Sequence, residues 1–216
     1  MSKIHLTLLA LVLSCVAAVH SASAVPIAGL FNTGLGSSAN YLAAGQPDAH
    51  YFVNTSPSGP FTPVAIDDTN YPFGPWVPNN SPFSRWIGPT ISSQGPAGAY
   101  HYETTFNLPS NANLSTAMIT GDWGTDDWSL DIWLNGTPQG QVSGGFSPVL
   151  VPFMVNSGFV FGPNVLEFRL NNAGGPTGLR VDNIRGKYNL IPEPASLSLA
   201  AGCVVVLFAL RRRVCD

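Results

Sequence analysis

The sequence predicts an all-β fold, an antiparallel β-sandwich, and three observations carry that expectation. Charged residues make up only 10% of the chain, while Gly (22), Pro (19) and aromatic residues (11%) are plentiful. Soluble globular chains carry roughly 25% charged residues, so this balance suits a turn-rich β domain better than a helical cytosolic enzyme. Between the two ends, short segments alternate apolar and polar residues with a period of two, and no amphipathic helical period is found. Once the targeting ends are set aside, 216 residues leave the length of one domain.

Residues 1–24, "MSKIHLTLLALVLSCVAAVHSASA", hold a single cation, Lys3, and an apolar stretch over 4–19. Ala22 and Ala24 then form a small-x-small cleavage site, which makes this a secretory signal peptide with an apolar signal helix, cut between Ala24 and Val25. A lipoprotein reading through Cys15 is the alternative, but the bulky Leu13 and the better site downstream argue against it.

Residues 25–190 are expected to form the ectodomain. Its first part, 25–97, is loop-rich ("NTSPSGPFTP", "NYPFGPWVPNNSPF", "GPTISSQGPAG"), and proline at that density excludes long helices and central strands. Tyr51, Phe52, Phe61, Trp76, Phe83 and Trp86 need a core, so this part reads as edge strands and long loops packed on the second part.

Regular strands are expected over 98–187. "AYHYETTFNL" sets Tyr100, Tyr102, Thr104 and Phe106 on one face and His101, Glu103 and Thr105 on the other. "STAMITGDW" is a short strand. In "SLDIWLNGTPQGQV" the expected inner face is Leu130, Ile132 and Leu134, opposite Ser129, Asp131 and Trp133, and Asn135-Gly136 predicts a hairpin. "SPVLVPFMV" carries Pro152, the mark of an edge or a bulge. "NVLEFRLNNAGG" alternates Leu166, Phe168 and Leu170 with Glu167, Arg169 and Asn171, and "GLRVDNIRG" supplies the last strand. Six short antiparallel strands make a sandwich.

The last segment, 191–216, is "IPEPASLSLAAGCVVVLFALRRRVCD". Residues 195–210 carry no charge. As a helix they would span roughly 24 Å, against about 30 Å of hydrocarbon in a bilayer. Arg211, Arg212 and Arg213 can snorkel and mark the cytoplasmic side. A permanent single-span anchor, a buried core helix and a processing signal all fit a short apolar run of this kind. Pro192, Glu193, Pro194, Ala195 and Ser196, followed by the apolar transmembrane run and the three arginines, resemble the PEP-CTERM sorting signal of bacterial envelope proteins. The resemblance covers about 26 residues and departs from the pattern in the end "VCD". It implies recognition by an exosortase as processing partner and an inner-membrane intermediate held through 195–210. Cutting near the Pro-Glu-Pro motif would then deliver the protein to the cell surface or exopolysaccharide matrix of a Gram-negative-type bacterium.

The second part of the ectodomain resembles galactose-binding-like jelly-roll domains, on the pieces "DIWLNG" (131–136), the "GPNVLEFRLNN" run (162–172) and "GLRV" (178–181). "DAHY", "SRWI", "TTF" and "NNAGGPTGLRV" also look like an ectodomain recurring among proteins with this sorting tail. The resemblance implies a jelly-roll sandwich and leaves sugar-binding, adhesive and spacer roles open.

Chemistry is sparse. All three cysteines (Cys15, Cys203, Cys215) lie in the end segments, so 25–190 offers no disulfide framework, thiolate metal site or thiol nucleophile. Five basic against ten acidic residues in that part give a net of −5, unsuited to nucleic acid. No nucleophile elbow, His-Glu-x-x-His helix or phosphate-binding loop is present. Asp122, Asp126 and Asp127, with Asp131 nearby, are candidate ligands for a structural Ca²⁺, although aspartates also initiate turns. Trp123, Trp128 and Trp133 are candidate stacking platforms for extracellular polysaccharide, although Trp133 reads more readily as core under the loop-rich N-terminal part. Glu103 and Glu167 are material for a glycosidase, but no spacing pairs them, and His101 with Glu103 is a further possible dyad. The expected function is therefore a secreted, non-enzymatic envelope or matrix protein with a carbohydrate-facing or structural module. The alternatives are an uncut surface anchor and a calcium-dependent glycan hydrolase or lyase.

Overall fold

The computed structural model describes residues 24–67, 69, 76–143, 145 and 149–191. Ala24–Asn189 form one compact unit; a second unit, 1–23 with 190–216, lies almost wholly outside the described residues. Residues 1–23 of the signal segment, the sorting motif (Pro192, Glu193, Pro194, Arg211, Arg212, Arg213) and the 195–210 span therefore fall outside them, whereas Ala24 and Val25, the expected cleavage residues, are described. Among the described residues there is no helix, and so none long and apolar enough to cross a membrane.

Among the described residues thirteen strands follow one another: β1 (Ala24–Pro26), β2 (Phe52–Thr55), β3 (Val64–Ala65), β4 (Ile87–Gly88), β5 (Gln94–Gly95), β6 (Gly98–Leu108) and β7 (Ala112–Asp126). Then come β8 (Trp128–Leu134), β9 (Thr137–Pro138), β10 (Val151–Val155), β11 (Gly162–Asn172), β12 (Gly175–Pro176) and β13 (Gly178–Leu190). One sheet runs β10-β7-β13-β4-β3, with β1 paired to β13; the other runs β2-β6-β11-β8-β9; β12 and β5 form a small ribbon. Every pairing whose register is resolved is antiparallel.

The two large sheets face each other across one core. Alternation selects which side chains enter it: Tyr100, Tyr102, Phe106 and Leu108 from β6, and Leu166, Phe168 and Leu170 from β11, are all buried. The six-stranded sheet answers with Ile119, Trp123, Phe153, Val155, Leu179 and Val181. Phe168 joins the layers, its ring 5.7 Å from Trp123 and 5.6 Å, edge-on, from Phe153. Each such side chain contributes about 1.5–3 kcal/mol by burial.

Asn135 (φ 50°) and Gly136 (φ 80°) both take the left-handed conformation that a two-residue hairpin turn requires, and they join β8 to β9 as expected. Pro152 sits on β10, an edge strand, where a missing N–H costs least. The expected inner face of β8 needs one correction. Ile132 and Leu134 are buried, but Leu130 is 48% exposed. The register explains it: Arg169 faces Asp131 while Leu170 faces Ser129, so Leu130 is the extra residue of a bulge and loses its inward place.

The N-terminal part supplies edges and plugs. β2 borders the five-stranded sheet, while β4 and β3 extend the six-stranded one. Trp76 and Trp86, rings 4.4 Å apart, pack with Ile66 in a satellite cluster. Two buried arginines pin these loops. Arg85 Nη1 donates to Leu42 O (2.7 Å), and its Nη2 donates to Ile66 O. Arg180 pairs with Asp182 (3.4 Å) and donates to Ser84 Oγ and to the carbonyls of Val77 and Pro78. Asp182 also accepts from Asn32 and Asn80, so the buried carboxylate is fully surrounded by donors.

Candidate functional site

The outer face of the five-stranded sheet concentrates the chemistry. The alternation that sends Tyr102 and Phe168 inward sends His101 and Glu103 of β6 and Glu167 and Arg169 of β11 outward. Register then decides which of them meet. Glu103 lies directly opposite Glu167, which lies opposite Trp133; on the far side Phe52 lies opposite Glu103. One row across the strands thus reads Phe52, Glu103, Glu167, Trp133. With three strand spacings of about 4.8 Å, it is roughly 14 Å long. The next row, Thr55, His101, Arg169 and Asp131, runs beside it.

The side chains interlock between rows. Arg169 Nε donates to Glu167 Oε1 at 2.6 Å and its Nη2 reaches the same oxygen. Its guanidinium also lies 3.6 Å from the centre of the Trp133 ring and so covers one face of the indole. His101 Nδ1 is 3.4 Å from Glu167 Oε2, so the histidine partners Glu167 and not the Glu103 on its own strand. Glu103 is held instead by the Asn54 side-chain amide. Asn54 Oδ1 beside it is enclosed without a donor.

These partners split the two carboxylates. Burial pushes Glu103 above the ordinary range, and the Glu167 charge opposite adds to the rise. Burial also pushes Glu167 up, but the hydrogen bonds from His101 and Arg169 and the guanidinium's charge outweigh it, and the net shift is downward. One carboxylate is held ionised; its neighbour more readily keeps a proton.

The three predicted tryptophans separate. Trp123 is fully buried in the core against Phe168, out of reach of any surface ligand, which corrects its reading as a stacking platform. The inward set Ile119, Gly121, Trp123 of one strand was the signal for this. Trp133 stands on the outer face, half-buried, and does not lie in the core under the N-terminal part. Trp128 is 57% exposed and faces Asn171, an outward residue of β11. It therefore shares the face with Trp133, about 13 Å away along the strands.

The predicted calcium ligands do not converge. Asp122 lies opposite Pro152 and accepts from the Asn183 side chain (3.0 Å). Asp126, at the far end of β7, accepts from Trp76 Nε1 (2.9 Å), and burial together with the neighbouring Asp127 raises it to about 7. Asp127 accepts from the Ala173 N–H at 2.6 Å. Four residues of strand place Asp122 about 13 Å from Asp126. Asp131 accepts the N–H groups of Ile132, Gly140 and Gln141 and so pins the segment after β9. Among the described residues no three acidic, histidine or cysteine side chains are placed to hold one ion. The aspartates act as turn and strand-end acceptors, the alternative role the sequence left open.

No protein-family model matches the chain, and no curated protein matches it. Among solved structures it is similar to a cyclase from Fischerella sp. TAU, at 12% identity and a TM-score of 0.43, over 79% of this chain and 100% of that one. It is also similar to a family 35 carbohydrate binding module from Clostridium thermocellum, at 13% identity and a TM-score of 0.32, over 51% of this chain and 83% of that one.

Proposed function

We propose that the chain is a secreted, non-enzymatic protein of a bacterial envelope or matrix, and that its sandwich, of the galactose-binding-like jelly-roll type, presents a carbohydrate-facing surface. The observation that carries the ectodomain reading is the row Phe52, Glu103, Glu167, Trp133, with Trp128 further along the same face. Aromatic faces suit the C–H surfaces of sugar rings, and carboxylate, amide and guanidinium groups between them suit hydroxyls. Export rests on the sequence of residues 1–24. Sorting rests on Pro192–Pro194 and Arg211–Arg213, with an exosortase as the processing partner and the cell surface or matrix as destination.

A glycan array probed with the full chain, repeated with Trp128→Ala and Trp133→Ala and with EDTA, tests the binding reading. Loss of signal in the variants and indifference to EDTA support it; no bound glycan under any condition leaves only a structural module. The mass of the mature protein from its host tests the sorting reading, because retention of residues 195–216 would sink processing and leave an uncut anchor.

The carboxyl pair favours one second reading, glycan hydrolysis. Residues directly opposite on neighbouring antiparallel strands have Cβ atoms roughly 5 Å apart, close to the carboxyl separation of retaining glycosidases. The tie of Glu167 to Arg169 and His101 weighs against it as a nucleophile. Release of reducing sugar from matrix polysaccharide, abolished by Glu103→Gln, would establish hydrolysis.

A further inference from the structure

We infer that the outer face of the five-stranded sheet selects glycans bearing free amino groups, of the polyglucosamine class, over acetylated and uronate-bearing ones. The inference rests on the carbohydrate reading above and names the chemical class of its ligand.

The charge inventory of the face is short. β2, β6, β11, β8 and β9 carry three carboxylates, Glu103, Glu167 and Asp131, against one permanent cation, Arg169, and one histidine, His101. Most of these are already committed. Arg169 is spent on Glu167 and on the Trp133 ring. Asp131 is spent on three backbone N–H groups. His101 faces Glu167. Glu103 is bonded to the Asn54 amide, and among the described residues no cation lies within ion-pair distance of it, the charges of His101 and Arg169 acting on it only from farther off. It stands in the middle of the aromatic-ended row, half-exposed, beside an amide oxygen that lacks a donor.

The face is thus rich in acceptors and short of cations. An ammonium group on a sugar lying between Phe52 and Trp133 meets Glu103 in a charge-assisted hydrogen bond, stronger than a neutral one. An acetamide at the same carbon offers one neutral N–H. A uronate brings a second negative charge to a face that already carries an excess of them.

The test uses the full chain in detergent at about 0.15 M salt, where long-range attraction is screened. Its probes are fluorescent hexamers of glucosamine, of N-acetylglucosamine and of galacturonate, read by anisotropy. Wild type is expected to bind the glucosamine hexamer about tenfold more tightly than the acetylated one and the galacturonate hexamer more weakly still. Glu103→Gln should erase the tenfold preference. Asp67→Asn, the same charge change in a loop outside the face, should preserve it. Phe52→Ala, which removes an exposed ring at the end of the row, should weaken the amino hexamer several-fold and serves if Glu103→Gln does not fold.

Equal or better binding of the acetylated or uronate hexamer overturns the inference and leaves the carbohydrate reading in place. Equal losses in Glu103→Gln and Asp67→Asn also overturn it, because they assign the preference to net charge alone. Absence of binding to every hexamer, and to the glycan array above, overturns both readings together.

Discussion

Asp48 gives the sharpest test of the folded structure. It is fully buried, with Oδ2 accepting from the Gly34 N–H (2.7 Å) and Oδ1 from the His50 N–H (3.0 Å). Burial outweighs both bonds and raises its carboxyl from 3.8 to about 6. The folded state therefore holds this proton more tightly than the unfolded chain does. The stability it contributes is fully present below pH 3.8 and is lost as pH rises through about 6. A shift of about two units corresponds to about 3 kcal/mol. Asp48→Asn cannot titrate, and its fixed cost in lost acceptor strength is the same at every pH. Urea denaturation of both proteins between about pH 4 and pH 7.5 should show the stability difference moving by about 2.5 kcal/mol in favour of the variant, the rest being lost already at about pH 4. Asp126, also raised, and Glu167, lowered, titrate in both proteins and cancel from that difference. A difference that stays constant across the range would refute the placement of Asp48 as a buried carboxyl.

Three further substitutions probe the loop plugs. Arg180→Ala strands the buried Asp182 carboxylate and should cost about 3–5 kcal/mol in urea denaturation. Arg180→Ala combined with Asp182→Asn should recover part of that cost, and a strictly additive double variant would show that the pair is not coupled. Gly34 has φ 75° and its Cβ position falls on Arg85 Cγ, so Gly34→Ala should lower stability by about 2–4 kcal/mol. An unchanged denaturation midpoint would refute that packing.

Much of the fold was legible because alternation and turn chemistry are local. The faces of β6 and β11 follow directly from "AYHYETTFNL" and "NVLEFRL", and the β8–β9 hairpin follows from Asn135-Gly136. Leu130 was misread because a bulge depends on how β8 pairs with β11, which no residue in "SLDIWL" announces. The candidate face was legible only in pieces. Glu103 and Glu167 were visible as carboxylates, but β6 and β11 are separated by 53 residues of chain that include two other long strands, so nothing local sets them opposite each other. Phe52 and Asn54 came from the loop-rich part, where the register of a four-residue strand cannot be read from pattern. The buried arginines escaped for a related reason. Their burial depends on carbonyls of distant loops, as with Arg180 and Val77.

The pairing of β1 with β13 sets an order of events in time. Val25 sits opposite Tyr188 and Ala24 opposite Asn189, so the Ala24–Val25 bond, the expected peptidase site, lies within a paired strand of the finished domain. A peptidase needs that bond free and extended. The partner strand, Gly178–Leu190, is the last of the domain to be synthesised. On the proposed cleavage at this bond, removal of the leader belongs to the interval before this strand arrives, and the strand's docking closes that interval by pairing with Val25.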